Sequence, residues 1–247
     1  MGDQVLTEVT MKRWMVIAAI GAILISACDI VGNDDVTLTF QSSAASASAN
    51  AVPLTEIDTG IEITSFMLSI REVEFKQDEE ALDSPLDVYF EGPYTLDLLD
   101  ATGPLTQTIG TADIPPGTYQ EIRFKLHKTT DVATSSPLYD RSIFVAGTID
   151  GTSFEMWHDT SENLDVGQST GIVVGDVPLT LVIDFNVRSF LDQSSDASGH
   201  LIDLTTATDE TGDSLIDISP DSDDGAVNQD LADELKDNIK LVADLIS

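Results

Sequence analysis

The residues Ile143-Phe144-Val145-Ala146-Gly147-Thr148-Ile149-Asp150-Gly151-Thr152-Ser153-Phe154-Glu155-Met156-Trp157-His158 read as a β-hairpin. Two runs with apolar side chains at every second position flank Asp-Gly, the dipeptide that supplies the positive φ angles of a two-residue hairpin turn. Such a turn fixes the register: Val145 opposite Met156 and Gly147 opposite Phe154 on one face, Phe144 opposite Trp157 on the other.

The same grammar extends outward in both directions. Upstream, residues 61–76 carry apolar side chains at Ile61 and Ile63, then Phe66, Leu68 and Ile70, then Val73 and Phe75. The alternation slips phase twice, which predicts one long strand with bulges rather than a helix. Residues 36–40 alternate as a first strand, and the Ser/Ala run at 42–50 reads as a loop. Residues 88–90 and 94–98 read as strands on either side of a Gly92-Pro93 turn, and Ile122, Phe124 and Leu126 alternate after the turn Pro115-Pro116-Gly117. Downstream, 179–185 is a strongly apolar strand. Two near copies follow, Leu201-Ile202-Asp203-Leu204-Thr205 and Leu215-Ile216-Asp217-Ile218-Ser219, and read as two short strands that pair. Leu231, Leu235, Ile239, Val242 and Ile246 then fall on one helical face behind an Asn228 cap. The fold class is therefore all-β: an antiparallel Greek-key sandwich over 36–192, an acidic segment with two short strands over 193–228, and a terminal amphipathic helix over 229–247. The helix stripe is expected to cover an open edge of its own sandwich.

Three elements resemble a known family. Tyr94-Thr95-Leu96-Asp97-Leu98-Leu99, Ile114-Pro115-Pro116-Gly117-Thr118-Tyr119-Gln120-Glu121-Ile122-Arg123-Phe124 and Leu179-Thr180-Leu181-Val182-Ile183-Asp184-Phe185 look like successive signatures of domain of unknown function 4382, a prealbumin-like sandwich of bacterial lipoproteins. The resemblance spans roughly residues 36–190. The first strand lacks the family's Thr-Asp-Ala-Pro, and Asn186 stands where a second Asp is usual. The resemblance implies a fold and an address, and no activity.

The amino-terminal segment carries the address. Lys12-Arg13 precede an uncharged run over 15–27 that ends in Ile25-Ser26-Ala27-Cys28, where the only cysteine of the chain stands. This is the tripartite layout of a secretory signal, and its apolar run is too short to span a bilayer as a helix. The closing tetrapeptide resembles the lipobox of bacterial lipoproteins. That resemblance implies that residues 1–27 are removed, with translation starting at Met11, and that Cys28 becomes a lipidated first residue on a tether over 28–35. Acyl chains contribute about 0.8 kcal/mol per buried methylene, so several of them hold a protein on a membrane. Which of two membranes receives it stays open, because the meaning of Asp29 after the cysteine differs between phyla.

The formal net charge is −33, with 44 acidic and 11 basic residues in 247. Such a chain is no nucleic-acid binder, and its attachment to a membrane must come from the covalent anchor rather than from a basic patch. The acidity also suits an environment rich in salt, where counterions screen self-repulsion. With Cys28 lipidated, no thiol is left for a disulfide or a thiolate metal centre.

Each motif that suggests chemistry has a structural reading beside it. Gly167-Gln168-Ser169-Thr170-Gly171 matches the Gly-x-Ser-x-Gly pattern of serine hydrolases, yet no helical pattern follows it, and His200 is the only base downstream; it reads as a loop between strands. His127, His158 and His200 show no ligand spacing. Asp217, Asp221, Asp223 and Asp224, with Asp230, surround Gly225 and suggest calcium. The loop register fails, because aligning Gly225 puts Pro220 and Leu231 at ligand positions. Phe144 and Trp157 on the outer hairpin face form a candidate platform for sugar rings. No catalytic residue and no cofactor is assigned. The expected function is a nonenzymatic, lipid-anchored structural or binding module on the extracytoplasmic face of a bacterial envelope, with a glycan or protein ligand left open. The alternatives are a carbohydrate- or calcium-dependent adhesion module and an envelope hydrolase using Ser169.

Overall fold

The computed structural model describes residues 35–42, 60–77, 87–100, 103–186, 202–241 and 243–246. The described residues form a mostly β, sandwich-like fold. A four-stranded sheet contains β1 (Asp35–Ser42), β5 (Thr106–Asp113), β10 (Leu179–Phe185) and β12 (Ala243–Ile246), in the order β12-β10-β1-β5. The larger sheet has the path β11-β8-β7-β2-β3-β4, formed by β2 (Ile61–Gln77), β3 (Asp87–Asp100), β4 (Gly103–Pro104), β7 (Ile143–Ile149), β8 (Thr152–His158) and β11 (Leu215–Ile218). Branching from it, β6 (Gly117–Leu126) pairs with β2 and with β9 (Asn163–Val174). The sheets are mixed rather than purely antiparallel, since β1 runs parallel to β10 and β11 parallel to β8.

The hairpin forms in the expected register: Phe144 lies opposite Trp157, Val145 opposite Met156 and Gly147 opposite Phe154. Asp150 and Gly151 take φ values of 50° and 83°, which gives the turn the handedness that matches strand twist. The long strand β2 slips register against β7 between Ile63 and Ser65, and against β3 and β6 between Ile70 and Glu72. These are the two places where the apolar alternation changes phase, so each bulge keeps apolar side chains pointing inward. β2 also changes partner along its length, pairing with β7 over its first half and with β6 over its second. At the junction the Ser69 N–H donates to the Ser142 carbonyl, and the His127 N–H to that of Ser69.

The sheets meet through aromatic side chains. Phe40 of β1 lies edge-on to Phe124 of β6 at 5.2 Å between centroids, and Phe185 of β10 lies edge-on to Phe66 of β2 at 5.8 Å. All four are buried. Phe75 and Tyr119 add an edge-on pair at 5.6 Å. The Tyr119 hydroxyl donates to the Pro115 carbonyl at 2.8 Å, which ties the strand to the turn before it and accounts for the tyrosine of the Pro-Gly-Thr-Tyr element. Tyr119→Phe is therefore expected to cost about 0.5–1.5 kcal/mol in urea unfolding, because one hydrogen bond is lost while the packing is kept.

Five expectations are corrected. Gly92-Pro93 is no turn between strands: β3 runs through it, with Ile70 paired to Tyr94 and Glu72 to Glu91. The first of the two near copies is no strand either, since 204–206 form a 3₁₀ turn, and only the second copy pairs, as β11 on the edge of β8. The helix is α1 (Ala226–Asn238), shorter than the 229–247 expected. Its N-cap is Gly225 rather than Asn228, and after a 3₁₀ turn at Ile239–Leu241 the chain becomes strand β12. The buried Leu231, Ala232 and Leu235 of α1 face the core, and the helix packs on β8 and β11. Ser42, placed in a loop over 42–50 by the sequence, ends β1 instead; the rest of that loop and residues 193–201 lie outside the described residues.

Candidate functional site

The outer face of β7, β8 and β11 carries the side chains most suggestive of recognition. Strand alternation turns Val145, Met156 and Phe154 to the core and leaves Phe144 and Trp157 side by side on the other face. Phe144 is nevertheless only 3% exposed. Arg141, from the 127–142 connection, lays its guanidinium over the Trp157 ring at 4.4 Å and over the Phe144 ring at 5.8 Å, and its Nη1 donates to the Pro137 carbonyl at 3.2 Å. The aromatic pair thus forms as expected, but a cation occupies its face instead of leaving it open to a sugar. Asp217 on β11 completes the cluster. Burial pushes its carboxyl up, while the Ser219 hydroxyl, the charge of Arg141 and the Trp157 indole N–H pull the other way.

The acidic segment has a different use. Asp224 is 2% exposed and accepts from the Thr211 N–H at 3.0 Å and the Asp217 N–H at 2.9 Å. Burial pushes its carboxyl up, and the backbone N–H groups of Asp217, Thr211 and Glu210 outweigh that, so it ends below the ordinary aspartate range. Asn228 donates to the Asp217 and Thr208 carbonyls at 2.9 Å each, and Asp213 accepts from the Leu215 N–H at 2.9 Å. In a parallel pairing alternate residues turn their backbone groups away from the partner strand, and in β11 the N–H groups of Leu215 and Asp217 are met by Asp213 and Asp224 and the Asp217 carbonyl by Asn228. Side chains of the acidic segment therefore satisfy the outer edge of β11. Asp221 and Asp223 are exposed, and the four calcium candidates do not converge, because Asp224 is taken up by backbone donors. Among the described residues no group of three or more acidic, histidine or cysteine side chains is arranged to hold a metal ion.

Ser169 lies within strand β9 rather than in a loop between strands. Its segment forms a wide bulge, since Gly167 pairs with Glu121 and Ile172 with Tyr119. β9 continues to Val174 and β10 follows at Leu179, so the turn into a helix that exposes a hydrolase nucleophile is not formed there. A serine and a histidine do meet elsewhere: Ser161 Oγ stands 3.4 Å from His127 Nδ1, on an exposed part of the surface. His158 is buried at the end of β8, 3.6 Å from Asp233 of α1 and 3.7 Å from Asp159. Cys28 and His200 lie outside the described residues.

Among the described residues, three basic side chains form ion pairs along β2, β6 and β9. Lys125 reaches Glu74 at 2.6 Å and Glu72 at 2.7 Å, and these two carboxylates hold its ammonium above the ordinary lysine range. Arg123 pairs with Asp165 at 2.7 Å, and Lys76 with Glu121 at 3.1 Å. No helix among the described residues is long and apolar enough to cross a membrane.

No curated protein and no solved structure matches the chain. A family model does match, over residues 52–218, so the matched region begins after β1 and takes in β11, further along the chain than the sequence signatures reach. With β2 through β11 inside that match, the chain belongs to the family described as Domain of unknown function (DUF4382).

Proposed function

We propose that this protein is a lipid-anchored, nonenzymatic β-sandwich of the bacterial envelope, held on the extracytoplasmic side through Cys28 and acting there as a binding module. The observation that carries the reading is the sequence from Lys12 to Cys28: a basic pair, an uncharged run too short to span a bilayer, small residues, and the only cysteine of the chain. Two features support it. The first described strand opens at Asp35, so every described strand follows the cysteine in the sequence. The charge of −33 repels anionic headgroups, which leaves covalent lipid as the means of staying on a membrane. Metabolic labelling with an alkyne palmitate analogue tests the proposal. The wild-type chain is expected to take up label and fractionate with membranes, and Cys28→Ala to lose both properties and remain unprocessed or be released. Equal labelling of the two chains would rule the anchor out.

A further inference from the structure

We infer that one end of the sandwich, formed by the turn at 114–117 and the turn at 174–179, rests on the lipid bilayer to which the chain is anchored. The inference builds on the lipid anchor proposed above. Three pairings gather this end: Asp35 lies opposite Asp113, Val36 opposite Leu179, and Gly117 opposite Val174. The strand that follows the anchor thus begins beside both turns. Six residues lie between Cys28 and Asp35, a contour of at most about 25 Å, so this end stays close to the acylated cysteine. The opposite end cannot, because β2 is 17 residues long and reaches about 50 Å from Gln77, near the turn at 114–117, to Ile61, beside the 150–151 hairpin turn.

The surface at this end is chemically distinct. Val173 and Val177 are 68% and 70% exposed, the two most exposed large apolar side chains of the described residues. Pro115, Pro116 and Pro178 are also exposed, on the two turns. The charges on the two turns and the start of β1 are Asp35, Asp113 and Asp176, with no lysine or arginine in residues 113–117 or 173–179, and the neighbouring Lys76 of β2 is paired with Glu121 at 3.1 Å. Exposed valines and prolines at the anchored end suit the boundary between headgroups and acyl chains, and the acidic rim selects a zwitterionic surface over an anionic one.

The test uses the full, lipidated chain in phosphatidylcholine vesicles. Because Cys28 is consumed by its thioether, a cysteine introduced elsewhere is the only free thiol. Val177→Cys, Pro116→Cys and, at the far end, Ser153→Cys are labelled with an environment-sensitive fluorophore. The labels at 177 and 116 are expected to shift to the blue, to be quenched by a headgroup nitroxide lipid and to resist aqueous iodide. The label at 153 is expected to be quenched by iodide alone. If the protein floats with vesicles but its labels at 177 and 116 are as accessible to iodide as the label at 153, the inference is wrong and the anchor stands. If Cys28 carries no lipid and the protein does not float, the anchor fails and this inference fails with it.

Discussion

Replacing Asp224 with alanine is expected to destabilise the fold by about 3–5 kcal/mol, since hydrogen bonds to a charged group are worth about 1.5–3 kcal/mol each and this buried carboxylate accepts two from the backbone. The carboxylate accepts from Thr211 and Asp217, and the second of these bonds closes the edge of β11. Asp224→Asn keeps one acceptor oxygen and should lose less. Urea unfolding reads both, and a change below about 1 kcal/mol for the alanine variant would contradict the role. The same measurement as a function of pH carries a sign. Because the folded-state carboxyl sits below its unfolded value, its contribution is full above the ordinary aspartate range and is lost as pH falls through the folded value. Asp217, which burial pushes up, contributes in the opposite sense, so its protonation at low pH relieves a cost. A chelator is expected to leave the wild-type curve unchanged, since the carboxylate that drew attention to calcium is engaged by the backbone.

Gly147→Ala is expected to cost about 3 kcal/mol or more, and Gly147→Val to prevent folding of the hairpin onto β2, as overpacking that displaces backbone exceeds the usual 1–3 kcal/mol. A Cβ at this position would stand 1.8 Å from the Glu62 carbonyl oxygen and 3.0 Å from Ile63 Cα. The approach is close because Gly147 pairs with Ile63 immediately before the bulge, where β2 bends towards β7. Neither neighbour is a flexible side chain, so the strand itself would have to shift. Urea unfolding of the alanine variant checks this, and stability within about 0.5 kcal/mol of wild type would mean that β2 and β7 do not approach as described.

The strands were legible where local pattern and tertiary partner agree. In β2 the apolar phase slips located both bulges, because an inward-facing alternation can only be kept across an extra residue by changing phase. The Asp150-Gly151 turn fixed its register from two residues. Pattern failed where the partner decides. Leu201 to Thr205 and Leu215 to Ser219 read alike, yet only the second finds the edge of β8, and strand propensity is largely a statement about such neighbours. The fourfold apolar spacing after Asn238 suggested more helix, but β10 offered an edge, and residues 243–246 pair with it antiparallel. Asn228 has the chemistry of a cap and instead ties Thr208 to Asp217, twenty and eleven residues away in sequence. The outer hairpin face was half legible: the hairpin announced Phe144 beside Trp157, whereas Arg141 reaches them from a connection that no periodicity constrains.

The anchor at Cys28 is the claim on which the functional account turns, and the mass of the amino-terminal peptide of the membrane-extracted protein tests it most directly. The expected chain begins at Cys28, with its sulfur in thioether linkage to diacylglycerol and its amino group acylated. A chain that begins at Met1 or Met11, or one whose Cys28 retains a free thiol, would contradict it.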